Sequence, residues 1–461
     1  MRNLDRDSID FEKMSISRLF IKLFIPTLLG MVFNSAFNII DGIIVGRGVG
    51  SDALAAVNVA APIYLIATAF GLMFASGASI VAAVHLSQNN NKAANIITTQ
   101  AFFAPLVVLL PLSLIILFFA EPLGYLFGGS DLLSPLIVEY MTWISPIPIL
   151  TLFNMVGIFI IRLDGSPKYA MYLSVISATL NSVLDYLFIF PWDFGLKGAA
   201  IATSISMTVE AVMVFVYMIF FSKQIKFYNV KRTKTSLYLT WRNVKYMANL
   251  GMSSFIGEAA ILFMMIVGNN MFMHFLQEDG VAAFSVCCYL FPLVFMFGNA
   301  IAQSQMPIIS YNYGLKDWKR INYTFRLGVI WSIVCGLLLT TWGLFFNEPV
   351  VALFLDTSSS AYEIATEGLP YFSISFLFIT LNLVYITYFQ SIEQARFANF
   401  FMLLRGIFFL IPIFIFIPLY LGEIGLWLSV PLSEIITFLA IAIARALKSK
   451  KEGEQQKTNV P

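Results

Sequence analysis

Long apolar segments recur along the chain and are separated by short polar ones. Each is about 20 residues or longer, the length that a helix needs to cross ~30 Å of hydrocarbon at ~1.5 Å per residue. Segments such as AFFAPLVVLLPLSLIILFF are apolar on every side, whereas strands of a membrane barrel alternate apolar and polar residues. The pattern therefore predicts an all-α polytopic membrane protein with twelve spans. The predicted spans are 19–46, 54–84, 96–119, 134–161, 169–190, 197–221, 246–274, 281–307, 323–346, 361–389, 397–419 and 424–446.

Composition supports the membrane class. Of the 461 residues, 59% are hydrophobic and 12% are charged, against a charged share of roughly 25% in soluble domains. Residues 1–18 carry charges of both signs and a full-length span follows, so we expect no cleaved signal peptide. The sequence shows no Cys/His metal spacing, phosphate-binding glycine loop or nucleophile elbow, and we expect no cofactor.

Basic residues predict the orientation, because loops rich in Lys and Arg stay cytoplasmic. With the N-terminus inside, most of the 28 Lys and Arg residues fall in inner loops or in the two tails, and segment 223–245 is the richest. Acidic residues such as Glu121 and Asp356 fall in outer loops instead. We therefore predict that both termini are cytoplasmic. The net charge of +2 is explained by the inner loops, so we expect no nucleic-acid partner.

The second half of the sequence repeats the first at an offset of 227 residues. EPLGYLF at 121–127 aligns with EPVVALF at 348–354, and at an offset of 228 Asn154 aligns with Asn382. Such parallel repeats place a substrate cavity between two pseudo-symmetric six-helix lobes. A duplicated channel or enzyme would show the same repeat. The predicted segments are an N-terminal tail (1–18), an N-lobe (19–222), a cytoplasmic linker (223–245), a C-lobe (246–446) and a C-terminal tail (447–461).

Polar residues of the N-lobe converge in depth. Asp41 lies in the outer part of the first span, and Asp185 lies in the outer part of the fifth, one turn above Asn181. Thr203 and Tyr140 enter from the sixth and fourth spans at similar depth. Two close carboxylates cannot both ionise cheaply, so a proton or a cation is expected between them. The alternative is a buried hydrogen-bond cluster that ties helices together.

Oxygen donors of this kind suit a hard cation such as Na⁺, for which Asp41, Asn181, Asp185 and Thr203 are the candidate ligands. No other metal site is expected.

Further polar and apolar side chains are candidates for a substrate cavity. Asn34 and Asn38 lie on the helical face of the first-span carboxylate. Phe37 and Met207 belong to a chain rich in Phe and Met, and rings and thioethers suit varied apolar cations. Lipid-facing or core packing would explain most such residues as well.

The C-lobe has a different set of charges. Positions 268 and 412, the repeat counterparts of the two N-lobe carboxylates, are Gly and Pro, which predicts a single coupling site. Glu258, Arg405 and Glu434 lie at matching depth in the second half. Because buried charges usually pair, we predict that Arg405 bonds one of the two acids. Glu258 is either a second proton carrier or a salt-bridge partner.

Three segments resemble the MATE (multidrug and toxic compound extrusion) transporters. FNIIDGIIVGRGVGSDALAAVNVAAP (37–62), preceded by Pro26, is similar to the first two helices of that family. RLDGSPKYAMYLSVISATLNSVLDYLFIFPWDFGLKGAAIATSIS (162–206) resembles its fifth and sixth helices, and PIISYNYGLKDWKR (307–320) resembles the loop of the second lobe. The resemblance covers essentially the whole chain.

The resemblance implies a V-shaped transporter whose N-lobe constellation forms the cation or proton site. It implies a helix bend at Pro26, positions near bound drug at Asn154 and Met207, and in some branches a functional acid at Glu258. The implied activity is export of organic cations, amphiphilic drugs or metabolites by antiport against Na⁺ or H⁺. The implied setting is a monomer among the lipids of a bacterial inner membrane.

Two other functions compete with export. A lipid-linked saccharide flippase of the same superfamily would need a basic cavity for its anionic substrate, and such flippases often have fourteen spans. Here the basic residues lie almost entirely in loops. A membrane-embedded enzyme or a receptor is the remaining alternative, and either would act without moving a solute.

Overall fold

Helices make up all the regular structure in the residues that the computed structural model describes, 9–230 and 233–458, with side chains described except at 38, 51, 54 and 447–458. The first helices are α1 (Ile16–Gly48), α2 (Ser51–Ser87), α3 (Asn91–Phe103), α4 (Leu106–Phe118), α5 (Ala120–Leu126), α6 (Ser134–Ile144), α7 (Ile147–Leu163), α8 (Pro167–Ile189) and α9 (Gly195–Val216). The others are α10 (Lys234–Gly314), α11 (Trp318–Phe345), α12 (Asn347–Val351), α13 (Ser360–Ser391), α14 (Ala395–Leu403), α15 (Leu410–Leu421) and α16 (Glu423–Thr458). In hydrocarbon a helix satisfies its own backbone hydrogen bonds, which explains this uniform choice.

Ten helical segments in the described part of the chain are long and apolar enough to cross a membrane. The number is eleven if α6 and α7 form one span, bent by 43°. Proline starts the second part of that span, because Pro146 has no N–H to continue the ladder of α6. The all-α membrane class is confirmed. The difference from twelve arises at α10, where two helices, each containing one predicted span, join across a break at Gln277 with φ 56° and ψ −148°.

Contacts between helices divide the chain into two compact units. The first comprises Met1–Glu258 with Pro307–Ile321, and the second comprises Ala259–Met306 with Asn322–Pro461. Within the first, α1 packs along α8 and α2 packs along α7, while α9 contacts α6, α7 and α8. Within the second, α16 packs against α13 and α15. The lobes defined by the sequence repeat remain a prediction.

The segment predicted as a linker is tied to the first unit at its start. The Asp164 carboxylate accepts backbone hydrogen bonds from Lys223, Gln224 and Ile225 at 2.9–3.1 Å, and another from the Tyr217 hydroxyl at 2.8 Å. A buried carboxylate stays favourable when several donors satisfy it. The backbone between α9 and α10 is therefore held in place, and α10 begins at residue 234, inside the predicted linker.

Glycines allow two helices of the first unit to approach at backbone distance. A Cβ at Gly251 of α10 would overlap the carbonyl oxygen of Met73 in α2, and a Cβ at Gly77 would overlap that of Met247. Small residues let membrane helices pack this closely. The crossing therefore depends on both glycines.

We expect Gly251→Ala to lower the free energy of unfolding by about 1–3 kcal/mol, because the methyl group has no space at this crossing. The effect is measured by heating the detergent-purified protein and recording the fraction that remains monodisperse at each temperature. Gly30→Ala is the control, since its nearest neighbour is Met171 at an ordinary 3.7 Å. Equal unfolding temperatures for the two variants would contradict the close crossing.

Candidate functional site

Two carboxylates of the first unit meet where α1 packs along α8. The side chain of Asp41 contacts that of Asp185, which is fully buried. Among the described residues, no donor hydrogen-bonds to Asp41 Oδ1 or to either carboxylate oxygen of Asp185. Two buried carboxylates in contact repel each other unless a proton or a cation lies between them. The pair is therefore an incomplete hydrogen-bond site that a positive charge would complete.

Hydroxyl groups line the other side of this pair. The hydroxyl oxygens of Tyr64 and Tyr140 are 3.1 Å apart, and the Tyr64 hydroxyl also contacts Thr203. Both tyrosines are close enough to interact electrostatically with Asp41 and Asp185. Tyr140 belongs to a buried apolar cluster, and Tyr64 packs against that cluster. The two hydroxyl groups therefore lie beside apolar side chains.

An amide completes the set from α8. Asn181 Nδ2 donates to Thr203 Oγ1 at 3.4 Å, and Thr203 Oγ1 donates to Ala199 O at 3.0 Å. The Thr203 hydroxyl donates its one proton to a backbone carbonyl of its own helix, so toward the site its oxygen can only accept a hydrogen bond. The structure thus brings the five residues grouped by depth in the sequence into one continuous cluster.

Tyr64 was missed by sequence reasoning. It lies thirteen residues from the first residue of α2, whereas each of the other members lies within eight residues of one end of its helix. α2 is 37 residues long, so a count from its end misjudges depth. Tyrosine in a span is also common at interfaces, which leaves little signal.

We expect Tyr64→Phe to lower the free energy of unfolding by about 0.5–1.5 kcal/mol, because the Tyr140 hydroxyl loses its partner. Thermal unfolding with and without added Na⁺, across a pH series, measures the effect and any change in ion dependence. Tyr172→Phe is the matched control, since that ring lies on α8 and is exposed. Identical curves for the two variants would place Tyr64 outside the site.

The remaining candidates of the first helix lie on α1. Asn34 is exposed on α1 and Phe37 is partly buried. The side chain of Asn38 lies outside the described residues. α1 continues as one helix through Pro26.

Asn154 belongs to a second polar group deeper in the same unit. Its Nδ2 donates to Met207 O and to Glu210 Oε2, both at 3.2 Å. Met207 itself is partly buried and packs against the apolar cluster. Sequence reasoning left Glu210 unassigned, because nothing in the linear pattern indicates which amide faces it.

The second unit holds an ion pair. Arg405 Nε donates to both carboxylate oxygens of Glu434 at 2.8 Å, and Asn382 Nδ2 donates to Glu434 Oε2 at 2.7 Å. The Arg405 guanidinium lies over the Phe295 ring at 4.8 Å. These contacts neutralise and satisfy the carboxylate. Glu258 belongs to the first unit.

Comparison with known proteins decides the family. The model of the MatE family matches residues 26–187 and again 254–416, one copy in each half of the chain. The chain belongs to the MatE family. A MatE protein is a transporter and not an enzyme, and the double match agrees with the internal repeat seen in the sequence.

The relatives of this chain are named for different substrates. The FAD transporter of Shewanella oneidensis is 27% identical over 349 residues, covering 74% of each chain. The multidrug export protein MepA of Staphylococcus aureus is 23% identical over 438 residues, covering 93% of each chain. A solved outward-facing multidrug resistance MATE transporter of the MOP superfamily matches with a TM-score of 0.86 at 20% identity, over 97% of this chain and 100% of that one. That structural likeness establishes the fold.

Proposed function

We propose that this MatE transporter is a secondary active antiporter that exports organic cations, amphiphilic drugs or metabolites in exchange for Na⁺ or H⁺. The observation that carries the proposal is the contact between Asp41 and the fully buried Asp185, in which Asp41 Oδ1 and both Asp185 oxygens have no donor among the described residues. A proton or Na⁺ bound there removes the repulsion between the carboxylates. Asn181, Thr203 and the two tyrosines then supply neutral oxygen ligands around it.

Coupling requires that the ion bind the two transport states with different affinity. Asp41 is on α1 and Asp185 is on α8, so any shift between these helices changes the separation of the carboxylates. An ion that holds the pair together favours the state in which the helices are packed, and its release permits the other state. In this scheme the ion enters from outside, substrate leaves outward, and the lobes reverse as the ion departs to the cytoplasm.

The proposed setting is a multi-pass monomer in a bacterial inner membrane with both termini cytoplasmic. The distribution of Lys and Arg supports this orientation.

A flavin dinucleotide is the second substrate class, favoured by the FAD transporter relative at 27% identity. An anionic substrate needs cationic or donor groups in its path, and the guanidinium of Arg405 is already bound to Glu434. We therefore favour cationic and amphiphilic substrates for this chain.

Transport in proteoliposomes tests the proposal. Wild-type protein is reconstituted, and movement of a fluorescent cationic dye, of FAD and of a fluorescent lipid-linked saccharide is followed under an H⁺ gradient without Na⁺, and under a Na⁺ gradient at equal pH. Dye movement driven by one gradient supports antiport of cations, and FAD movement alone would assign the flavin class. Saccharide movement without any gradient would replace the proposal with the flippase, and no movement of any solute would overturn transport by this chain.

A further inference from the structure

The two units contain the same amide–carboxylate contact with different partners. In the second unit Asn382 Nδ2 bonds Glu434 O and Glu434 Oε2. In the first unit Asn154 Nδ2 bonds Met207 O and Glu210 Oε2. At the repeat offset Met207 is the counterpart of Glu434, so the backbone contact is preserved and the acid is displaced by one helical turn.

The charge that neutralises the acid in the second unit is absent from this position in the first. An offset of 227 or 228 residues places Ala178 or Ser177 opposite Arg405. Ser177 takes the place of the guanidinium, because its side chain contacts Glu210. Glu210 is 8% exposed, and in the described part of the chain it has an amide and a hydroxyl as partners but no basic side chain.

The ionisable groups on the helices around α9 lie elsewhere. Asp41 and Asp185 face each other, and Tyr140 bonds Tyr64. Arg162 is eight residues further along α7 than the amide that binds Glu210, with its guanidinium over the Phe159 ring at 5.7 Å.

The remaining ionisable groups on these helices include Tyr217, which bonds Asp164, and Tyr169, which donates to Met213 O. The others are the exposed residues Glu139, Tyr172 and Tyr186 and the charged residues at the helix ends. A buried carboxylate in such surroundings is stable when it carries a proton.

A polar stripe runs from Glu210 toward Thr203, a member of the carboxylate cluster. Thr203 and Glu210 are seven residues apart, on one face of α9 and roughly 10 Å apart along its axis. Between them Ser206 Oγ donates to Thr203 O at 2.9 Å, and Ser177 Oγ donates to Ser206 O at 3.2 Å. Ser177 and Asn181 lie one turn apart on α8. Ser177 bonds Ser206 O and Asn181 bonds Thr203, so polar groups of α8 and α9 meet at two successive turns.

We propose that Glu210, held by Asn154 and Ser177, is a second proton-binding carboxyl through which a proton from the Asp41–Asp185 pair moves inward. The proton leaves the pair and adds to the Glu210 carboxylate, and it later passes toward the side predicted to be cytoplasmic. Asn154 Oδ1 is buried and accepts no hydrogen bond from the described residues, which leaves a hydrogen-bond acceptor near the carboxyl when it is protonated. This inference rests on the proposed antiport and identifies its ion as H⁺.

Proton counting tests the site without transport. Purified wild-type protein and Glu210→Gln, Asp41→Asn and Glu434→Gln variants are titrated in weak buffer over the pH range in which each stays folded. We expect Glu210→Gln to take up one proton fewer per chain than wild type, and Asp41→Asn to retain that proton. Glu434→Gln is the control for a carboxylate already paired with Arg405. Equal uptake by wild type and Glu210→Gln would overturn the inference.

Transport then separates this inference from the function on which it rests. We expect Glu210→Gln to bind dye as wild type does and to export it about tenfold more slowly under an H⁺ gradient. If Glu210→Gln exports normally while Asp41→Asn does not, the antiporter stands and the role of Glu210 falls. If wild type shows no gradient-driven export, the antiporter falls, and the proton count still decides whether Glu210 is a protonation site.

Discussion

Asp185→Asn removes gradient-driven export and preserves substrate binding. The variant keeps the size of the side chain and introduces an amide that can donate to Asp41, so the repulsion disappears without an ion. The two transport states then no longer differ in ion affinity, so the ion gradient no longer drives export. A coupling free energy of about 1–3 kcal/mol corresponds to a loss of about 5- to 150-fold in the response to the gradient. Initial export rates and equilibrium dye binding on the same preparation measure both quantities.

Glu139→Gln is the matched control for this loss. Glu139 is an exposed acid directly before Tyr140 on α6, so it tests removal of a nearby charge that does not touch the pair. We expect it to export at the wild-type rate. Normal gradient-driven export by Asp185→Asn would make the carboxylate cluster a structural feature that ties α1 to α8.

Breaking the ion pair of the second unit has the largest expected effect on stability. Arg405→Met leaves Glu434 buried with a negative charge and, among the residues that the structure describes, the Asn382 amide as its side-chain donor. An uncompensated buried charge costs about 3–5 kcal/mol. We therefore expect the unfolding temperature of Arg405→Met to fall sharply, and its yield in the membrane with it. Thermal unfolding in detergent measures the change.

A double variant separates charge from packing. Arg405→Met combined with Glu434→Met removes both charges and fills similar volume, so we expect it to recover most of the stability lost in the single variant. Arg396→Met, at an exposed residue near the start of α14, should unfold as wild type does. If the double variant is as unstable as Arg405→Met, the pair stabilises the unit through packing rather than charge.

The membrane class and the carboxylate cluster followed from the sequence because both depend on features local in the chain. The limits of each apolar segment indicate the ends of its helix. Counting residues from the nearer end then indicates the depth of Asp41, Asp185 and Thr203. The two apolar spans within α10 meet at Gln277, where the backbone leaves helical geometry, and the sequence pattern had separated them in the same polar segment.

Side-chain partners were less predictable, since they depend on how each helix is rotated. Sequence reasoning placed Asn154 in a substrate cavity, and whether it contacts substrate stays a prediction, while its amide donates to Glu210. Tyr64 was hidden by the length of α2. Rotation and projection of a helix come from packing against its neighbours, which apolar composition leaves undetermined.

Export of a cationic dye by wild type and Asp41→Asn, side by side in proteoliposomes under single H⁺ or Na⁺ gradients, tests the central claim most directly. The carboxylate pair predicts that one gradient accelerates export by wild type, and that neither accelerates export by Asp41→Asn although the variant still binds dye. A variant that responds to the gradient as wild type does would show that the coupling ion binds elsewhere in the chain.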